Sequence, residues 1–171
     1  MRGGRAFSME DAKVLLGWAK ELGCNYVRLA HYPHNENMAR LADSMGILLW
    51  EEIPVYWTIQ WNNPETYVKA ERQLEELITR DKNRASVIIW SMANETPPSN
   101  ERLLVLKNLV EKTRELDDTR LVTAALENHG KKGQRNTMVV DDDFASFVDI
   151  ISFNQYYGCL LYTSPSPRDA L

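Results

Sequence analysis

The chain has 171 residues, with 20 Lys and Arg against 24 Asp and Glu and a net charge of -4. A hydrophobic fraction of 44% and a charged fraction of 26% are those of an ordinary soluble globular domain, which excludes disorder over the whole length. So weak an acidic balance gives no support for nucleic-acid or membrane-surface binding, and two cysteines, Cys24 and Cys159, imply no disulfide framework.

Ser8 is a good helix N-cap, with Asp11 three residues later as in a capping box. Ala12, Leu15, Leu16, Ala19 and Leu22 then recur at helical spacing, and Gly23 is placed to end the helix. Asn25 to Ala30 reads as a short buried strand. A second helix runs from about Asn35, with Met38, Leu41, Ala42 and Met45 on one face and Gly46 as its stop. Ile47 to Trp50 is a strand, with Glu51 and Glu52 directly after it. Asn63 and Pro64 are an N-cap and first-position pair that opens a third helix through Tyr67, Leu74, Leu77 and Ile78. Ser86 to Trp90 is the strongest strand pattern. Asn100 to Leu116 is an amphipathic helix, and Leu121 to Ala125 and Asp149 to Phe153 are two more strands. No apolar run reaches the ~20 residues that a membrane helix needs.

Strands alternating with helices imply a parallel α/β sheet, either doubly wound and open or closed as a (β/α)8 barrel. No Gly-rich phosphate turn comes after any strand, which weakens the nucleotide-binding alternative. The residues at and just past the strand ends are polar: Arg28 and His31, Glu51 and Glu52, Asn94 and Glu95, Asn154 and Tyr156. Barrel active sites are built at the C-terminal ends of their strands, so this pattern favours the barrel. A barrel needs ~250 residues. The expectation is therefore a partial TIM barrel over residues 1–158, about strands 2 to 6, belonging to a longer protein. Residues 159–171, with two Ser-Pro steps and no apolar face, read as an unstructured, non-native tail.

The Asn94-Glu95 pair after its strand admits a bland reading, a capping network for the next helix. The chemical one is a carboxyl in a cleft with apolar walls, where the charged form is disfavoured and a general acid is suited. His31, His34 and Glu36 raise a metal site as a rival, but the spacing is not that of a helical zinc motif and Pro33 breaks any helix there, so no metal and no cofactor is expected.

Three segments in one order carry a resemblance: VRLAHYPHNENMARLADSMGILLWEEIP, SVIIWSMANE and DIISFNQYYG. Together they resemble the catalytic barrel of glycoside hydrolase family 2, which includes β-galactosidases and β-glucuronidases, from about Met9 to Gly158. The resemblance implies a retaining glycosidase acting on terminal β-glycosidic bonds, with a carbohydrate as its partner and no nucleic acid or membrane. A homo-oligomeric parent is compatible with it. By the same resemblance Glu95 would be the general acid/base, and Asn94 would hold the sugar's 2-hydroxyl. Tyr156 would hydrogen-bond the nucleophile, His31 would line the sugar subsite with Asn154, and Arg28 would supply positive potential. Glu51 and Glu52 match a family acidic pair, one of which could brace Arg28. The family's nucleophile is a glutamate on a seventh strand, which lies past the end of this chain. Trp50, Trp57, Trp61 and Trp90 are candidate stacking faces, with core packing preferred for Trp90. The alternative is a carbohydrate-binding barrel without the chemistry.

Overall fold

The structure is a computed structural model that describes residues 8–134 and 137–155. Tyr156, Cys159 and the 159–171 tail lie outside the described residues.

Five parallel strands form one sheet in the order β1 (Tyr26–Leu29), β2 (Leu48–Glu52), β3 (Val87–Asn94), β4 (Leu121–Leu126) and β7 (Ile150–Phe153). Helices α1 (Met9–Glu21), α2 (Glu36–Met45), α3 (Pro64–Asp81) and α4 (Asn100–Leu116) alternate with the first four strands. A short antiparallel ribbon, β5 (His129–Gly130) with β6 (Met138–Val139), and a 3-10 turn over Asp143–Phe147 connect β4 to β7. This is half of a TIM barrel.

Local chemistry sets the helix ends. Ser8 and Asp11 close a reciprocal capping box, with Asp11 N–H donating to Ser8 Oγ at 3.2 Å and Ser8 N–H to Asp11 Oδ2 at 3.0 Å. Asn63 caps α3 ahead of Pro64, whose missing N–H costs nothing at the first helical position. Gly46 ends α2 at φ 63°, a left-handed conformation that a residue with a Cβ adopts at a cost.

The main core lies between the sheet and the helices: Leu49, Ile53, Trp90, Met92, Val122 and Leu126 meet Leu74, Ile78, Leu106 and Leu109. Each such side chain contributes about 1.5–3 kcal/mol on burial. A smaller cluster, Trp50 with Ile89 and Ala125, covers the opposite face, which would be the barrel interior.

Two elements run further than the sequence pattern suggests. β2 includes Glu51 and Glu52, and β3 continues from Trp90 to Asn94. The polar ends of both strands stay in the ladder because other strands bury and pair them. β3 also carries two irregularities. Leu49 pairs with Val87 but Trp50 with Ile89, leaving Ile88 extra. Further on, Ser91 pairs with Thr123 and Asn94 with Ala125, so Met92 and Ala93 oppose Ala124 alone. The second shift puts Asn94 on the same face as Ser91, where strict alternation would turn it toward the helices.

Candidate active site

Arg28 is the centre of the polar cluster at the C-terminal end of the sheet. It leaves β1 beneath the ends of the other strands, its guanidinium 4.5 Å from the centre of the Trp50 ring. Its Nε donates to Glu52 Oε2 at 3.0 Å and its Nη2 to Glu52 Oε1 at 3.2 Å, a two-pronged ion pair. Nη1 donates to Asn154 Oδ1 at 2.7 Å, and Nη2 also donates to Asn94 Oδ1 at 2.7 Å. One arginine thus ties the ends of β1, β2 and β3 to the residue after β7.

Glu52 is its anionic counterpart. Besides Arg28, its Oε2 accepts from Trp50 Nε1 at 3.1 Å, and its Oε1 accepts from His31 Nδ1 at 2.7 Å. A carboxylate only accepts, so His31 Nδ1 carries the proton and Nε2 is the ring atom left for a ligand. Glu52 is therefore the brace for Arg28 and the orienter of His31, while Glu51, one residue earlier, points to the helix side of the sheet.

Asn94 closes the cluster. Its Oδ1 accepts both Arg28 Nη2 and Asn154 Nδ2, the latter at 2.9 Å. With both acceptor positions filled, Asn94 can meet a further group only as a donor through Nδ2. Asn154 is fixed in turn, its carbonyl accepting from Asn128 Nδ2 at 2.9 Å. Asn94 is not a helix cap, because Ser99 caps α4 by accepting from Arg102 N–H at 3.1 Å.

Glu95 comes next at the same end of β3, half-buried, with its N–H donating to the Ala125 carbonyl at 2.8 Å. Its φ is 46°, in the left-handed region that residues other than glycine rarely adopt. The loop behind it is held by a fully buried arginine: Arg102 Nε donates to Thr96 Oγ1 at 2.7 Å, and Arg102 Nη2 pairs with Asp142 Oδ2 at 2.8 Å. Sequence reasoning misses this clamp, because Arg102 lies in the first turn of an amphipathic helix and reads as solvated.

Of the residues expected at the site, Arg28, His31, Asn94, Glu95 and Asn154 come together on one rim, while Tyr156 lies outside the described residues. The histidine-rich segment is used differently. His34 Nε2 donates to the Ala30 carbonyl at 3.1 Å, burial pushes its pKa down, and Glu36 pairs with Arg40. No group of three or more His, Cys, Asp and Glu able to hold a metal ion occurs among the described residues. Trp90 is core, its Nε1 donating to Asp117 at 2.9 Å on the helix side, and Trp50 lies under Arg28. Tyr56, not singled out in the sequence, bridges to Asn94 and has its ring centre 5.9 Å from that of His31.

A parallel half-barrel with its buried charges gathered at the C-terminal strand ends defines the class as barrel enzymes. The profile of glycosyl hydrolases family 2, TIM barrel domain, matches residues 1–165, and the chain belongs to that family. It is similar to a β-glucuronidase of Streptococcus agalactiae, 32% identical over 172 aligned positions that take in 91% of this chain and 28% of that protein. The human β-glucuronidase is 33% identical over 147 positions, 84% of this chain and 21% of its own length. The chain therefore spans about a quarter of the length of these relatives. Among solved structures, β-glucuronidase 2 of Bacteroides uniformis, covalently bound to cyclophellitol-6-carboxylate aziridine, superposes with a TM-score of 0.75 at 28% identity. That match covers 90% of this chain and 19% of the other. A β-galacturonidase from Eisenbergiella tayi bound to galacturonate gives 0.68 at 28% identity, covering 71% and 22%.

Proposed function

We propose that this chain forms the acid/base side of a retaining β-glycosidase site whose substrate is a terminal β-glucuronide. The observation that carries it is the Arg28–Glu52–Asn94–Asn154 network at the end of β3, with Glu95 next in sequence. That network holds Asn94 as a fixed donor, suited to a sugar hydroxyl oxygen. Glu95 is the general acid/base, protonating the leaving oxygen and then activating water. His31 presents its Nε2 to the sugar, and Arg28 supplies positive potential beneath the second carboxylate. Tyr156 is assigned to that carboxylate, the nucleophile, which comes from a part of the protein beyond this chain. The choice of a uronide over a galactoside rests on the relatives, whose names are β-glucuronidase and β-galacturonidase.

The test is Glu95→Gln in the full-length protein, assayed on aryl β-glucuronides of graded leaving-group acidity. Loss of general acid catalysis costs about 10²–10⁴-fold for poor leaving groups and far less for activated ones. Equal losses across the series would refute the assignment. The 171-residue chain by itself should turn over none of these substrates, since two carboxyls must act across one bond.

A further inference from the structure

Among the described residues, two other than glycine hold a left-handed backbone: Trp57 at φ 57° and Glu95 at φ 46°. A bulky residue is a genuine outlier there, and such residues persist where the surroundings fix them, often at ligand sites. Both border Asn94. Trp57 N–H donates to the Asn94 carbonyl at 3.1 Å, and Asn94 N–H donates to the Val55 carbonyl at 2.8 Å. The segment after β2 is thereby stitched to the end of β3, immediately before Glu95. Held in this way, Trp57 is 63% exposed. Tyr56 meets it edge to face, with ring centres 5.6 Å apart, and Tyr56 is in turn 5.9 Å from His31. The rings run in the order His31, Tyr56, Trp57, from the polar cluster outward.

We propose that Tyr56 and Trp57 form an aromatic ledge that binds the leaving-group side of the substrate, and that this leaving group is planar and apolar, an aryl alcohol. The inference rests on the glycosidase reading and deepens it. The polar groups that suit a hydroxylated sugar all lie inside His31. Outside it the surface offers ring faces and edges, which gain most from a flat apolar group by buried area and ring–ring contact. A lone exposed tryptophan is ordinary. This one has a constrained backbone bonded to the residue before the candidate acid, so its position is set relative to the bond being cleaved.

The experiment compares 4-nitrophenyl β-D-glucuronide with methyl β-D-glucuronide in the full-length protein, for wild type, Trp57→Gly and Trp57→Phe. Glycine is at home at this φ, so removing the indole does not put the fold at risk. For the aryl substrate, kcat/KM should fall about tenfold in Trp57→Gly and by an intermediate factor in Trp57→Phe, while the methyl substrate stays within about twofold. Calorimetric Kd values for both compounds, measured in a Glu95→Gln background, should show the same split. If the protein hydrolyses neither compound, the glycosidase reading fails, and the Kd values still decide on the ledge. Equal losses for both compounds, or none, would overturn it. So would equal losses accompanied by a lower Tm or a changed oligomeric state, which would mean that protein covers the ledge.

Discussion

Glu51 and Glu52 are consecutive residues of β2, exposed by only 2% and 1%, yet they occupy two different regions. Side chains alternate along a strand, so Glu52 faces the would-be barrel interior and Glu51 faces the helices. On the interior face Arg28, His31 and Trp50 donate to both oxygens of Glu52. On the helix face, Glu51 Oε2 has no hydrogen-bond partner among the described residues. Burial, and the Asp81 carboxylate after it, push the Glu51 pKa up from 4.5 to about 8. Asp117 shows that the helix face is not hostile to anions as such. Burial pushes its pKa up too, but hydrogen bonds from Thr119, Trp90 and Arg120 outweigh that and hold it at about 2. The supply of donors, not depth, decides which buried carboxyl is ionised.

The strongest way to break this contrast is Glu52→Ala. It strands the Arg28 cation in a partly buried site and should cost about 3–5 kcal/mol in denaturant unfolding. A loss below about 1 kcal/mol would show that Arg28 is solvated without it. Next is the pH dependence from Glu51. Its folded pKa lies above its unfolded value, so the folded state binds the extra proton between pH 4.5 and about 8. Stability should fall as pH rises through that window, by up to about 1.4 kcal/mol per unit, and be lowest above it. Glu51→Gln should flatten that slope; an unchanged profile would place the titration elsewhere. The smallest effect sharpens the comparison from the other side. Asp117 has a lowered pKa, so its contribution is complete above its ordinary value of 3.8 and is lost as pH falls toward 2. Asp117→Asn should remove that acid-side loss, about 2 kcal/mol, and leave the slope above pH 4.5 unaltered.

Much of this is readable from residue order. The capping box at Ser8, the Asn63-Pro64 start and the Gly46 stop each have a local cause, and the structure has all three. The polar residues after the strands point to one rim. What escapes depends on partners far away in the chain. The apolar pattern ends β2 at Trp50 and β3 at Trp90, where charged and amide residues take over, and only cross-strand partners explain their burial. Asn94 reaches the rim through an irregularity that a two-residue period does not contain. The Arg102–Asp142 pair joins residues forty positions apart. Trp57 carries no turn signal such as Gly or Asn for its left-handed backbone.

The span of the Arg28 cluster also has a consequence in time. Arg28 and Glu52 are 24 residues apart, whereas Arg28 and Asn154 are separated by 126. At roughly 5–20 residues per second, a ribosome delivers Glu52 about 1–5 s after Arg28, but Asn154 roughly 6–25 s after it. The charge partner thus arrives while the nascent sheet is still two strands wide, and the neutral amides join later. A cation that becomes buried as strands add to the sheet already has its anion in place, so the order of synthesis matches the order in which unpaired groups would otherwise become costly.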